Sequence, residues 1–228
     1  YGLDEPLPTQ YVQLMRSILG GDIECFYGCG SLRTAFLDAL PVTASLVFGG
    51  AVLWMIIGLS VGIFSALKPR SLLDRSAMIF VLIGGSAHPI WIGLIFEYVF
   101  GVKLGWFPIA NYANFFGAPG ASGQPGGPWQ WFYHLVLPWC TFALLFAALY
   151  VRLIRANVME TMNEDFVRTA RAKGAPERQV IRSHILRNSM LPIVTILGMD
   201  IGLALGGAIF TESIYSLPGL GRQVLQSY

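Results

Sequence analysis

The chain alternates long apolar stretches with short segments that carry nearly all of its charge. The first stretch, between Asp38 and Lys68, contains no charged residue. A helix needs about 20 apolar residues to cross the hydrocarbon core of a bilayer, and each apolar stretch is long enough to do so. The pattern therefore predicts four membrane-spanning helices, at about residues 43–67, 76–98, 134–155 and 190–211.

Composition supports lipid as the solvent of these stretches. Of the 228 residues, 54% are hydrophobic and 12% are charged, whereas soluble domains carry about 25% charged residues. Four such runs in one short chain fit poorly with the core helices of a soluble protein. The formal net charge of +2 gives no indication of a nucleic-acid-binding surface, so no nucleic-acid partner is expected. The predicted fold is an all-α polytopic membrane protein.

Basic residues predict which loops face the cytoplasm. Lys and Arg are concentrated between spans one and two and between spans three and four, whereas the loop 101–133 and the tail after span four have one basic residue each. Because cytoplasmic loops are enriched in Lys and Arg, the two basic loops are expected inside. Both chain ends then lie outside, which is unusual for an inner-membrane protein. One further helix on each side would restore both ends to the cytoplasm and give six spans.

The first part of the chain is expected to lie outside the membrane. Residues 1–40 are predicted to form an extracytoplasmic segment with short amphipathic helices, because Tyr11 and Met15 begin a helical spacing of apolar residues. Residues 41–228 form the membrane domain. Cys25 and Cys29 lie four apart in the outer segment and form either a disulfide or two free thiols. No metal site is expected, because these cysteines lack further ligands nearby.

The loop 156–188 has a more specific local pattern. Helix-forming residues run from Glu164 to Lys173, and Gly174 and Pro176 then end the helix. A second helix is expected to start near Pro176 and to continue into span four. Small residues at the turn permit close approach by another protein. The alternative is a solvated basic loop that only follows the distribution of positive charge.

A resemblance favours the docking interpretation. The run Asp165–Gly174 resembles the EAA motif of binding-protein-dependent ABC permeases, in particular the branch that imports dipeptides and oligopeptides and includes nickel and glutathione relatives. The segments 184–192 and 212–221 fit the spacing of that branch. Arg168, Thr169 and Ala170 stand where the general motif has Glu, Ala and Ala, and this difference is typical of the peptide branch.

The resemblance implies a transport subunit and a set of partners. The chain would be a permease of an importer in the cytoplasmic membrane of a bacterium or archaeon, moving peptides, a nickel chelate or glutathione. A second permease subunit, two ATP-binding subunits and an extracytoplasmic substrate-binding protein would complete it. ATP and Mg would be used by the ATP-binding subunits, because this chain has no phosphate-binding loop and is not expected to be an enzyme. Residues implied in ATPase coupling are Asp165, Phe166, Arg168, Thr169, Ala170, Arg171, Ala172, Lys173 and Gly174.

Asp200 lies in the middle of the fourth predicted span. An ionised acid there is unfavourable by about 2.5–3.5 kcal/mol, so it either lines a pore that accepts ammonium groups or makes a structural hydrogen bond. A proton-coupled secondary transporter, with Asp200 as the relay, is the alternative function. A membrane enzyme would need clustered polar residues at one membrane face. The coupling-loop motif disfavours both alternatives.

Two further patterns concern helix packing. Gly58 and Gly62 have the spacing of small residues at close helix–helix contacts, and so do Gly198, Gly202 and Gly206. His88 followed by Pro89 predicts a kink in the second span.

Overall fold

The computed structural model describes residues 6–20, 32–116 and 126–226. Within these ranges the chain is helical and contains no strand. The helices are α1 (Leu7–Gly20), α2 (Leu32–Leu67), α3 (Leu72–Ser86), α4 (Pro89–Phe96), α5 (Pro128–Met162), α6 (Asp165–Ala172), α7 (Glu177–Gln179), α8 (Arg187–Gly207), α9 (Ile209–Ile214) and α10 (Leu220–Gln226). Glu97–Lys103 continues α4 as a π-helix, and Val180–Leu186 joins α7 to α8 in the same way.

Among the described residues, three helices are long and apolar enough to cross a membrane: Arg33–Leu67, Pro128–Met162 and Glu177–Ile214. The segments Leu72–Ser86 and Pro89–Lys103 pass the same test together, with a bend of 106° between them. The all-α polytopic fold is therefore confirmed, with a fourth crossing if the bent pair is one span. The limits predicted for the spans and for the segment 1–40 stay predictions; α2 already begins at Leu32.

The bend lies at the predicted kink. α3 ends at Ser86, and His88 precedes α4 in an extended conformation with φ −72° and ψ 139°. Its Nδ1 accepts a hydrogen bond from the Ile90 amide at 3.4 Å, and Pro89 occupies the first turn of the new helix. Proline suits this position because the first amides of a helix have no partner within it.

α2 and α5 run parallel and pack through glycines. A Cβ placed on Gly49 would lie 2.0 Å from the ring of Trp139, and one placed on Gly62 would lie 2.9 Å from Ile154. Gly58 has a similar contact with Tyr150. The close packing predicted for Gly58 and Gly62 is therefore confirmed.

The other membrane helices run against α5. A Cβ on Gly84 would lie 3.0 Å from Ala148, and one on Gly93 would lie 3.5 Å from Thr141. Later residues of the bent pair therefore contact earlier residues of α5, so the bent pair runs antiparallel to α5. The bent pair therefore returns the chain to the side where α5 begins, which agrees with the alternating directions of the predicted spans.

The core lies between α2 and α5, and α8 joins it along one side only. Trp54 is fully buried among aromatic residues of α5. Over the most apolar 18 residues of each helix, 61% are buried in α5, compared with 18% in the helix that contains α8. A Cβ on Gly198, Gly202 or Gly206 would meet no described atom within 4 Å. The close packing predicted for these three glycines is not made within the described part of the chain.

The outer segment is described in part. α1 forms where the sequence predicts a short helix before Gly20. Cys25 and Cys29 lie outside the described residues, so their state stays a prediction.

Candidate functional site

A short helix on the predicted cytoplasmic side connects to the fourth span through a tight turn. α6 is followed by Gly174, whose φ is +78°. The Gly174 amide donates to the Arg171 carbonyl at 3.0 Å, and the Ala175 amide donates to the Ala170 carbonyl at 3.3 Å. These bonds form a Schellman motif, in which glycine takes the left-handed conformation that ends a helix. The predicted helix, glycine turn and second helix are therefore all present.

One side of α6 is anchored to the protein. Val167 is fully buried, and Ala170 is partly buried against the same core. The remaining residues predicted to dock a partner are exposed: Asp165, Phe166, Arg168, Thr169, Arg171, Ala172, Lys173 and Gly174. Ala170 thus seats the helix rather than standing on its open face. Val167 has the same seating contact and was missed from the sequence, although its apolar side chain among charged neighbours is a usable signal.

The open face of α6 combines positive charge with one large apolar side chain. Arg171 donates from Nη2 to Oε1 of Glu177 at 2.7 Å, across the Gly174 turn. Arg168 lies 3.7 Å from Asp165. Both pairs are solvated and orient the side chains more than they stabilise the fold. Phe166 is 41% exposed among these groups. Such a face suits a partner groove that is apolar at its centre and acidic at its edge.

The intramembrane acid is separate from α6. Asp200 on α8 accepts a hydrogen bond from the Tyr150 hydroxyl of α5 at 2.7 Å. Asp200 is partly exposed and Tyr150 is fully buried. The structure therefore contains the hydrogen bond that was one of the two alternatives from the sequence. A pore-lining role is compatible with the same contact and stays a prediction.

A buried ion pair at the predicted cytoplasmic ends of α2, α3 and α5 was missed from the sequence. Arg155 donates from Nε to Oδ1 of Asp74 at 2.7 Å and from Nη2 to Oδ2 at 3.1 Å. The Ser65 hydroxyl donates to the same carboxylate, and the Arg70 amide donates to Oδ2 at 2.9 Å. Four donors therefore hold one carboxylate where the three helices meet. An acid within a basic cytoplasmic loop was the available signal.

A second buried carboxylate organises the opposite end of the bundle. Glu212 is fully buried and accepts from the Thr43 hydroxyl at 2.6 Å and from the Arg222 amide at 3.1 Å. Thr43 in turn accepts from the Leu220 amide at 2.9 Å. A Cβ on Gly219 would lie 2.2 Å from the Glu212 carboxyl group. The segment 216–221, seen in the sequence only as a family pattern, is thus a turn folded around Glu212 and fixed to α2.

These features define a multi-span membrane component that exposes one face of an anchored short helix, α6, on one side. Residues 58–228 match the family model described as "Binding-protein-dependent transport system inner membrane component". The chain belongs to this family. It is a permease component of an ABC transporter in the cytoplasmic membrane, a transport subunit and not an enzyme, as the resemblance implied.

Individual relatives agree with the family. The chain is 39% identical to a putative peptide permease protein of Brucella suis, over 99% of this chain and 69% of that protein. It is 32% identical to the dipeptide transport system permease protein of Alkalihalophilus pseudofirmus, over 99% of this chain and 72% of that protein. The fold is similar to a chain in the crystal structure of an amino acid ABC transporter with histidines. The TM-score is 0.63 at 16% identity, over 86% of this chain and 79% of that chain.

Proposed function

We propose that the chain forms one half of the translocation pathway of an ATP-driven importer for peptides or a related small solute. The second half is another permease subunit, and an extracytoplasmic binding protein delivers the solute. Two ATP-binding subunits use ATP and Mg on the cytoplasmic side. The peptide class is supported by the names of the relatives, which are peptide and dipeptide permeases.

The observation that carries this proposal is the anchored and exposed helix α6. It connects through Asn163 and Glu164 to α5, and through the Gly174 turn to the long helix Glu177–Ile214. A partner that moves α6 therefore acts on two membrane helices at once. Closure of two ATP-binding subunits would bring the paired docking helices together and change which side of the membrane the pathway opens to.

The test compares two glycines that have the same backbone restriction. Gly174 has φ +78° and Gly105 has φ +62°, and a Cβ on either would meet no described atom within 4 Å. A leucine at either position costs about 1–2 kcal/mol for the left-handed backbone. Only Gly174 lies beside the docking helix, so only Gly174→Leu should also obstruct a partner.

The measurement is purification of the full-length permease from detergent-solubilised membranes, followed by ATP-dependent dipeptide uptake in proteoliposomes. We expect an ATP-binding subunit to accompany the wild type and Gly105→Leu but not Gly174→Leu, with uptake following the same order. Recovery of no ATP-binding subunit with any of the three, together with uptake driven by a proton gradient, would replace the proposal with secondary transport. Equal recovery with all three would remove Gly174 from the docking surface.

A further inference from the structure

Asp200 and Tyr150 meet inside the predicted membrane domain, away from the docking helix. The Tyr150 hydroxyl donates to Oδ2 of Asp200 at 2.7 Å. An ionisable residue within a membrane span is unfavourable unless it has a partner or contacts water, and it commonly marks a transport path. What this carboxylate binds besides Tyr150 is therefore a functional question.

Tyr150 is restrained on the side of α2. A Cβ placed on Gly58 would lie 2.9 Å from Cβ of Tyr150, so α2 approaches as closely as a glycine permits. The ring of Trp54 packs against the ring of Tyr150 with centroids 6.0 Å apart. The contact with Gly58 positions Cβ of Tyr150 and the contact with Trp54 restricts its ring, so together they hold the hydroxyl within reach of Asp200. The hydrogen bond then positions the carboxylate of Asp200.

Asp200 keeps the capacity to bind a cation. A carboxylate has two acceptor oxygens, and among the described residues only Oδ2 has a partner. In the same part of the chain, the ion pairs formed by Lys, Arg and His do not include Asp200. Tyr150 is a neutral donor, so it leaves the negative charge uncompensated. A positively charged donor is the group that this carboxylate lacks.

Asp200 lies at the border between the buried and open sides of α8. Ala204, one turn later, is buried against the core, whereas Leu203 is 71% exposed. The open side next to Asp200 continues from Leu203 to Met199, which is 72% exposed, whereas Gly198 and Gly202 lie on the opposite face of the helix, about 200° around it from Asp200. A solute that passes along the side of α8 with Met199 and Leu203 therefore comes beside Asp200.

We propose that Asp200 binds the ammonium group of the solute during its passage, with Tyr150 as a positioning residue. The inference rests on the proposed function and narrows its substrate class to solutes with a primary ammonium group, such as peptides with a free amino terminus. An ammonium group supplies both the positive charge and the donors that the free oxygen lacks. A single carboxylate also gives a contact that can be released, as passage requires.

The experiment uses the complete transporter, purified without its external binding protein, and measures equilibrium binding of dialanine and of N-acetyl-dialanine. The variants are Asp200→Asn, which still accepts from Tyr150, Asp200→Glu, which keeps the charge, and Tyr150→Phe. Tyr112→Phe is the control, because the Tyr112 hydroxyl accepts a hydrogen bond from Nε1 of Trp131 at 3.1 Å and does not contact Asp200.

We expect the Kd for dialanine to rise by about tenfold to a hundredfold in Asp200→Asn. It should rise less in Tyr150→Phe and stay near wild type in Asp200→Glu and Tyr112→Phe. N-acetyl-dialanine should bind weakly and equally to all variants.

Three results would overturn the inference. These are equal dialanine binding by the wild type and Asp200→Asn, an equal loss for dialanine and N-acetyl-dialanine, or failure of both Asp200 variants to assemble with their partner subunits. The last result would assign Asp200 a structural role. Failure of the proposed function is visible separately, because wild-type uptake in proteoliposomes would then need no ATP.

Discussion

Arg155 and Asp74 form a two-pronged ion pair that joins helices distant in sequence, with Nε–Oδ1 at 2.7 Å and Nη2–Oδ2 at 3.1 Å. The side chain of Asp74 is 7% exposed and that of Arg155 is 25% exposed. The pair fixes the predicted cytoplasmic end of α5, which is followed by α6, the proposed docking helix. The position of α6 therefore depends on a contact outside the docking loop.

Removing one member of this pair should destabilise the protein. Asp74→Leu leaves the Arg155 guanidinium without its carboxylate, and breaking a buried pair costs about 3–5 kcal/mol, with the lower end expected because Arg155 is partly exposed. Thermal unfolding of the detergent-solubilised full-length permease measures the effect. The double variant Asp74→Leu/Arg155→Met is the control. If its loss of stability equals the sum of the losses in the single variants Asp74→Leu and Arg155→Met, the pair contributes no coupling.

Phe166 is expected to contribute the apolar part of the docking face. Phe166→Asp places a negative charge among the basic side chains of α6 and removes an apolar anchor, so binding of the ATP-binding subunit should weaken about tenfold or more. Fold stability should change little, because Phe166 is already 41% exposed. Co-purification of the ATP-binding subunit and ATP-dependent uptake are the measurements.

The matched control for Phe166 lies on the predicted outer side. Phe116 is 92% exposed and receives the same substitution, Phe116→Asp. The amount of ATP-binding subunit that co-purifies with Phe116→Asp should equal that recovered with the wild type. An equal loss in both variants would mean that the effect of Phe166→Asp comes from general destabilisation.

The seam between α2 and α5 should not tolerate a methyl group. Gly49→Ala places a Cβ 2.0 Å from the Trp139 ring, and that indole also donates to the Ser45 carbonyl at 2.9 Å. Overpacking of this kind costs about 1–3 kcal/mol. Gly85→Ala is the control, because a Cβ there meets no described atom within 4 Å. If the thermal midpoint falls as much for Gly85→Ala as for Gly49→Ala, close packing between α2 and α5 at Gly49 is not the cause.

The turn around Glu212 should open when its carboxylate is removed. Glu212→Ala leaves the Thr43 hydroxyl and the Arg222 amide without acceptors, and each unpaired buried group costs about 1–3 kcal/mol. Trypsin should then cleave after Arg222 faster than in the wild type. Glu212→Gln retains an acceptor oxygen, so its cleavage rate should lie between those of the wild type and Glu212→Ala. Unchanged cleavage of Glu212→Ala would show that other contacts hold the turn.

Local signals in the sequence predicted local structure well. The end of α6 follows from Gly174 and Pro176, because their backbone preferences act within one turn. The bend at His88 follows from Pro89 for the same reason. The apolar stretches predicted the long helices, since their length and composition alone decide whether lipid can be their solvent.

Contacts between residues far apart in the sequence could not be predicted from such local signals. Thr43 and Glu212 are 169 positions apart, and Asp74 and Arg155 are 81 apart. No period or spacing connects them. The glycine sets illustrate the same limit: Gly58 packs against α5, whereas Gly198 has no described neighbour within 4 Å. Small residues at regular spacing indicate a face that permits close approach, but they do not identify the helix that covers it.

The long helix from Glu177 to Ile214, which includes the π-helix Val180–Leu186 and a turn residue at Ala208, has a mechanical consequence. It contains 38 residues, which at 1.5 Å per residue gives a rod about 57 Å long. A tilt of roughly 10° about one end would displace the other end by about 10 Å, the outer diameter of a helix. Because the far end of this helix is held to α2 through Glu212 and Thr43, that end is the pivot, so a displacement of about 10 Å beside the Gly174 turn requires only a tilt of roughly 10° across the membrane.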